Sequence, residues 1–392
     1  MIDNIQFVPS SRSRNVALAL VALGAAVTAY GLFTDSKRVW LSLLLNGFYF
    51  TSLALSAMFF LGTQRLTGAR WSASLRRVPE AFMSALPVAT VLMLLLYIGR
   101  HQIFPWTDPA KVFANARSIA GKVQYLREPF VFSRLVIILL LWVLFAWLFR
   151  KLSLKQDKNP GQNMKIHERL NRLAPIFVLV FALTFTLFSY DCIISLEPEW
   201  SSTMFAVYTF AGMFVQGIAA ITLAVVFLRE GSLRAWVTDH QLHDLGKLLF
   251  AFSTFWAYIW TAQYLLIWYG NIPEEVTHYV KRTNGPWLPL FAINFIVNWV
   301  IPFAVLLSVK AKCTPRVLKS ICVLLLCGHW LDLYMHIMPS QWDAPKVLLE
   351  IPIAAGYAGL LYFIFVRSLA KAPLLPVHDP ILLAEVQVQH VH

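Results

Sequence analysis

Charge is the first thing this chain has little of. Lys, Arg, Asp and Glu make up 14% of its 392 residues against 58% hydrophobic ones, and the mean hydropathy is +0.62. That balance excludes an ordinary soluble domain and a disordered one. Cysteine is scarce as well: Cys192, Cys313, Cys322 and Cys327 form no CxxC pair, which argues against a disulfide framework, a zinc site or an iron–sulfur cluster in this chain. There is no Walker motif, no dinucleotide fingerprint, no transition-metal spacing and no recognisable nucleophile–base pair. No small-residue cleavage site follows the first apolar run, so that run is expected to stay as a helix and not to be removed as a signal peptide. Linker-like sequence is confined to residues 150–172, RKLSLKQDKNPGQNMKIHERLNR.

What the chain does have is long apolar runs. Ten spans are expected, at 16–33, 39–62, 80–99, 130–150, 173–196, 203–229, 242–270, 287–310, 316–339 and 346–367. The fold class is therefore an all-α polytopic membrane protein. The net charge of +13 follows this topology: 21 of the 33 Lys and Arg lie in the amino-terminal segment, the even-numbered loops and the tail, and ten lie in the odd loops. By the positive-inside rule both termini are cytoplasmic, and the basic charge faces anionic lipid instead of nucleic acid. The loop from Arg100 to Pro129 is the longest outside, and its start, HQIFPWTDP, reads either as an ordinary loop or as a surface-lying segment that could face a partner subunit. The tail after residue 367 looks extended.

Several spans carry ionisable groups that lipid would penalise by about 3 kcal/mol or more each unless paired or hydrated. The stretch from His240 to Glu275 has His243, Asp244 and Lys247 near its start, and Lys247, Thr254, Tyr258 and Thr261 fall on one face, which is expected to turn away from lipid. Span 5 carries Asp191 roughly 8 Å from its outer end. Span 4 carries Arg134, which either snorkels or pairs with an acid from another helix. In span 9, His329, Asp332 and His336 sit at i, i+3 and i+7 and point one way. Asn294 and Asn298 lie one turn apart in span 8, with Pro302 beyond, and read first as interhelical glue; the ionisable groups are the ones that bear on function. These groups offer the parts of a proton path with titratable residues at both mouths; the alternative is that Asp244–Lys247 and Asp191–Arg134 are salt bridges bracing the bundle. Deep histidines occur in span 9 alone, which disfavours a bis-histidine haem.

A weak internal repeat is present: Asp191 precedes Pro198 by seven residues, as Asp332 precedes Pro339. This fits two four-helix bundles in parallel repeat, spans 2–5 (39–196) and spans 6–9 (197–339). The amino-terminal segment 1–15, the first flanking helix 16–38, the last flanking helix 340–367 and the tail 368–392 complete the chain.

Four stretches, SYDCIISLEPEWSSTMFAVYTFAG, HDLGKLLFAFSTFWAYIWTAQYLLIWYGNIPEE, NFIVNWVIPF and GHWLDLYMHIMP, together with RRVPEAF at 76–82, resemble the NrfD-like membrane subunits of bacterial alternative complex III, a quinol:electron-acceptor oxidoreductase. The length is similar to the smaller, ActF-type subunit. The resemblance implies a place in the bacterial inner membrane beside an ActC-like homologue, a periplasmic iron–sulfur subunit, c-type cytochrome subunits and small membrane subunits. Quinol, iron–sulfur clusters and c-type haems would then belong to those partners, with no cofactor of this chain's own. It also implies a scaffold and proton-route role for Asp191, His243, Asp244, Lys247, His329 and Asp332; if the chain binds quinone itself, His329 and Asp332 are the candidates. An ion-coupled transporter is the reading from another class. Cys192 stands where the family pattern has an aromatic residue, and Glu199 where it has His.

Overall fold

A backbone in lipid has no water to bond, so the apolar runs must satisfy their own N–H and C=O groups, and the helix does this within one segment. The computed structural model describes residues 5–108 and 121–389. Parts of the expected amino-terminal segment, long outer loop and tail lie outside the described residues. The chain is 81% helix, with no strand among those residues. The principal helices are α1 (Ser11–Thr34), α2 (Ser36–Leu66), α3 (Arg77–Met83), α4 (Leu86–Leu95), α5 (Glu128–Lys158), α6 (Asn163–Cys192) and α7 (Phe205–Arg229). They are followed by α8 (Asp239–Gly270), α9 (Pro273–Thr283), α10 (Leu288–Phe295), α11 (Ile301–Leu306), α12 (Pro315–Ile337), α13 (Glu350–Leu369) and α14 (Pro380–Gln389).

Among the described residues nine helical segments are long and apolar enough to cross a membrane, as expected of a multi-pass membrane protein. Ten were expected from the sequence, and the difference is α8. At 32 residues it has the length, but Trp256, Tyr258, Trp260, Gln263 and Tyr264 leave it less apolar than the rest.

Two helices form the centre. Within their apolar windows α2 is 83% buried and α7 is 89% buried, and they pack against each other. Around α2 lie α3, α4, α6 and α13, and around α7 lie α6, α8 and α12. To one side α1 runs along α13, where a Cβ on Gly24 would stand 2.7 Å from the Cα of Gly356. Only glycine at both positions permits that approach.

Three expectations change. The linker 150–172 is mostly helix: α5 runs to Lys158 and α6 starts at Asn163, because a helix can continue into water past the point where hydropathy falls. Span 3 is interrupted between α3 and α4, where a kink is expected of Pro87, and Pro87 sits in the first turn of α4, where its missing N–H costs nothing. The start of the long outer loop is packed inward, with Ile103 and Trp106 each 1% exposed. The tail is docked, not extended: Leu374 N–H donates to Ile5 O at 2.8 Å, His378 Nδ1 lies 2.8 Å from Asp157 O, and Asp379 pairs with Arg76. Residues near the two ends of the chain therefore meet on one face.

Candidate functional site

The three residues spaced along span 9 do share one face of α12, and all are buried: His329 is 2% exposed, Asp332 4% and His336 8%. Helices from three directions close on Asp332. Tyr208 of α7 donates its hydroxyl to Oδ1, Asn294 of α10 donates its amide N–H to the same oxygen at 2.7 Å, and Trp256 of α8 donates Nε1–H to Oδ2 at 3.3 Å. All three donors are neutral. No cation pairs with this carboxyl among the described residues.

The local chain explains how the asparagines reach it. Pro302 has no N–H to give to the carbonyl of Asn298 four residues back, and the helix widens into a π-helical turn at Ile296–Val300, with Ile301 N–H bonding to Ile296 O. Asn298 then donates to Asn294 Oδ1 at 2.7 Å, which leaves the Asn294 amide N–H aimed at Asp332. Such single π turns recur at functional sites. Gly328 is required beside it, since a Cβ there would lie 2.4 Å from Asn298 Oδ1.

From Asp332 a run of polar groups leads to the α9 end of the bundle. The Tyr208 ring lies 5.0 Å from His336, and His336 stacks on His278 at 5.6 Å. His278 hydrogen-bonds Glu197 through Nδ1 and stacks on Trp200 at 3.8 Å. Arg282, 1% exposed, donates to the carbonyls of Met335 at 2.8 Å, His336 at 2.7 Å and His278 at 2.5 Å, and lies 3.5 Å from Glu197. Burial lowers the pKa of His278 to about 4, with the Arg282 charge pushing the same way, so His278 is a neutral donor at pH 7. Burial alone would raise the Glu197 carboxyl; Arg282 and then His278 more than offset that and hold it well below the usual carboxylate range. This group was not singled out in the sequence, because Glu197 and Trp200 come from a loop and His278 and Arg282 from the short helix α9. Its signal was His278 and Arg282 at i, i+4 in PEEVTHYVKRT.

The cluster holds buried polar atoms with no hydrogen-bond partner among the described residues: both ring nitrogens of His329, His336 Nδ1, His278 Nε2 and Asn298 Oδ1. Atoms of this kind are normally met by ordered water.

The other candidates fall elsewhere. Asp191 is bound by Arg134 through two contacts, 2.7 and 2.6 Å, and accepts from Tyr125 at 2.9 Å; of the two roles open to Arg134, pairing is the observed one. Asp244 lies 2.5 Å from Lys247 and 3.1 Å from His240. His243 is half-buried. The expected inward face of α8 turns outward: Tyr258 is 66% exposed, Lys247 is exposed, and Thr254 and Thr261 are half-buried. The buried face of α8 is instead Leu242, Leu245, Leu249, Ser253, Trp256 and Gln263. A polar column up α8 through the bundle is therefore withdrawn.

A second charged cluster lies at the opposite end. Arg77, 1% exposed in its side chain, bonds Glu80 at 2.7 Å and also pairs with Asp157. Arg150 reaches Glu80 at 3.0 Å, and Ser153 donates to Glu80 at 2.6 Å. Arg77 and Arg150 were counted from the sequence as loop charges. Every acid here has a cation. No group of three or more His, Cys, Asp or Glu side chains among the described residues could hold a metal ion.

No family model matches the chain, and no curated protein matches it in sequence.

Proposed function

We propose that this chain is an inner-membrane subunit of a quinol-oxidising electron-transfer assembly of the alternative complex III kind, and that it contributes a proton path in its outer half. The observation that carries the path is Asp332, a buried carboxyl held by neutral donors only. Asp191 and Asp244 each sit against a cation and serve as braces. The route runs from Asp332 through Tyr208, His336 and His278 to Glu197 at the outer mouth. Asn294, Asn298 and His329 extend it inward. The motif resemblance supports the quinol assembly, with an ActC-like homologue, an iron–sulfur subunit and c-type cytochromes as partners carrying the redox centres. Both termini face the cytoplasm in this reading, and spans 2–5 and 6–9 are parallel repeats whose span-5 and span-9 aspartates have diverged, one neutralised by Arg134 and the other not.

The test is proton release per electron in liposomes holding the intact assembly. Asp332→Asn should lower it while the subunits stay together; unchanged release would leave the cluster structural. Quinone density within hydrogen-bond reach of His329 or Asp332 would instead make this chain a quinol binder. Substrate uptake by the chain alone would make it a transporter.

A further inference from the structure

A cavity of about 450 Å³ opens on the outer side where the end of α6 and the loop after it face the last turns of α8. That is within the common range for a bound small molecule or lipid head, about 300–1,000 Å³. Its inner wall carries Gln263, 5% exposed, whose Nε2 and Oε1 are both buried with no partner among the described residues. An amide left so costs about 1–3 kcal/mol, a cost that a ligand in the cavity would relieve once the side chain turned toward it. Gln263 lies seven residues before Gly270, roughly 10 Å below the end of α8.

The rest of the lining grades with depth. Ile194, Leu266 and Ile267 are apolar walls, whereas Lys122, Ser201 and Glu275 stand at the rim. Lys122 Nζ donates to Pro198 O at 2.8 Å and Trp200 O at 2.9 Å. Two of its three N–H groups are thereby used and one is left for an anion. A cation and an anion at one rim, above a buried amide and an apolar wall, match a head that carries both charges.

We infer that this cavity binds one zwitterionic phospholipid with a primary ammonium head, of the phosphatidylethanolamine type. Lys122 and Ser201 take the phosphate, Glu275 takes the ammonium, Gln263 bonds an ester carbonyl, and Leu266 and Ile267 receive the start of an acyl chain. The inference does not rest on the function proposed above.

The full chain, purified and stripped of lipid, is mixed in turn with phosphatidylethanolamine, phosphatidylcholine and phosphatidylglycerol, and bound lipid is counted by native mass spectrometry. Phosphatidylethanolamine should bind at one site about tenfold more tightly than phosphatidylcholine, whose methylated ammonium cannot donate to Glu275. Glu275→Gln should erase that preference, and Gln263→Leu, close in size, should weaken binding by about tenfold. Gln263→Met serves if the leucine variant fails to fold. Equal binding of the two zwitterionic lipids overturns the inference, as does unchanged affinity in a folded Gln263 variant. Preference for phosphatidylglycerol overturns it in favour of an anionic head held by Lys122 alone.

Discussion

Replacing Arg134 with Met strips a buried carboxylate of its only cation among the described residues. The Asp191 side chain is 2% exposed and that of Arg134 11%, so solvent cannot take over from the guanidinium that now binds both carboxylate oxygens. Breaking a buried pair by removing one partner costs about 3–5 kcal/mol, because the survivor is left desolvated. Tyr125 still donates to Asp191, and helices that come apart within a membrane find other partners. Both effects favour the lower end, about 3 kcal/mol, or roughly a hundredfold in the folding equilibrium. Adding Asp191→Leu should return most of it, since replacing both charges with apolar groups is often close to neutral. Asp332→Asn, which removes no counter-charge and keeps its neutral neighbours, should cost about 1 kcal/mol. The assay is reversible unfolding in mixed micelles, followed by helical circular dichroism. If Arg134→Met costs no more than Asp332→Asn, or if the double variant is no better than the single, the division of the acids into braced and free is wrong.

Other consequences follow from the same geometry. Gly328→Ala should push Asn298 aside, since the new Cβ would lie 2.4 Å from its Oδ1; proton release should fall towards that of Asp332→Asn while the fold survives, and unchanged release would mean Asn298 does not orient Asn294. The outer cluster should loosen in acid. His278 is lowered to about 4 from an ordinary 6.5, so the unfolded chain binds its proton first and stability is lost as pH falls from about 6.5 to 4, by roughly 3 kcal/mol at most. The depressed Glu197 adds loss in the same direction below about pH 4.5. Trp200 fluorescence, taken as the difference from Trp200→Phe, should change across that window, and a flat response would contradict the stacked pair. Asp379→Ala leaves Arg76 buried and unpaired, so the tail should become sensitive to protease while the spans stay protected; a resistant tail would mean the ion pair does not hold it.

The sequence disclosed the charges but not their directions. Helical spacing alone placed His329, Asp332 and His336 on one face, and all three are buried. The same arithmetic placed Lys247, Thr254, Tyr258 and Thr261 together on α8, but lipid and protein interior are equally apolar, so periodicity could not say which way that face looked. Tyr258 points out. Asp191 and Arg134 were both visible as costly residues, whereas their pairing is contact across 57 positions that no local pattern carries. Hydropathy marked where the membrane ends and not where helices end, which is why residues 150–172 looked like a linker. Arg77 and Glu80 looked like the edge of a loop; their burial depends on Arg150, Ser153 and Asp157 arriving from α5. The docking of the tail likewise hangs on Asp379 meeting Arg76, two charges with no mark in the sequence to join them.

The central claim is that Asp332 gains and loses a proton while Asp191 does not. Infrared difference spectra of the intact assembly, recorded between its oxidised and reduced states, test this directly. The account predicts a carboxylic-acid C=O band that disappears in Asp332→Asn and persists in Asp191→Asn. A spectrum with no such band in the unaltered protein, or a band untouched by Asp332→Asn, would contradict it.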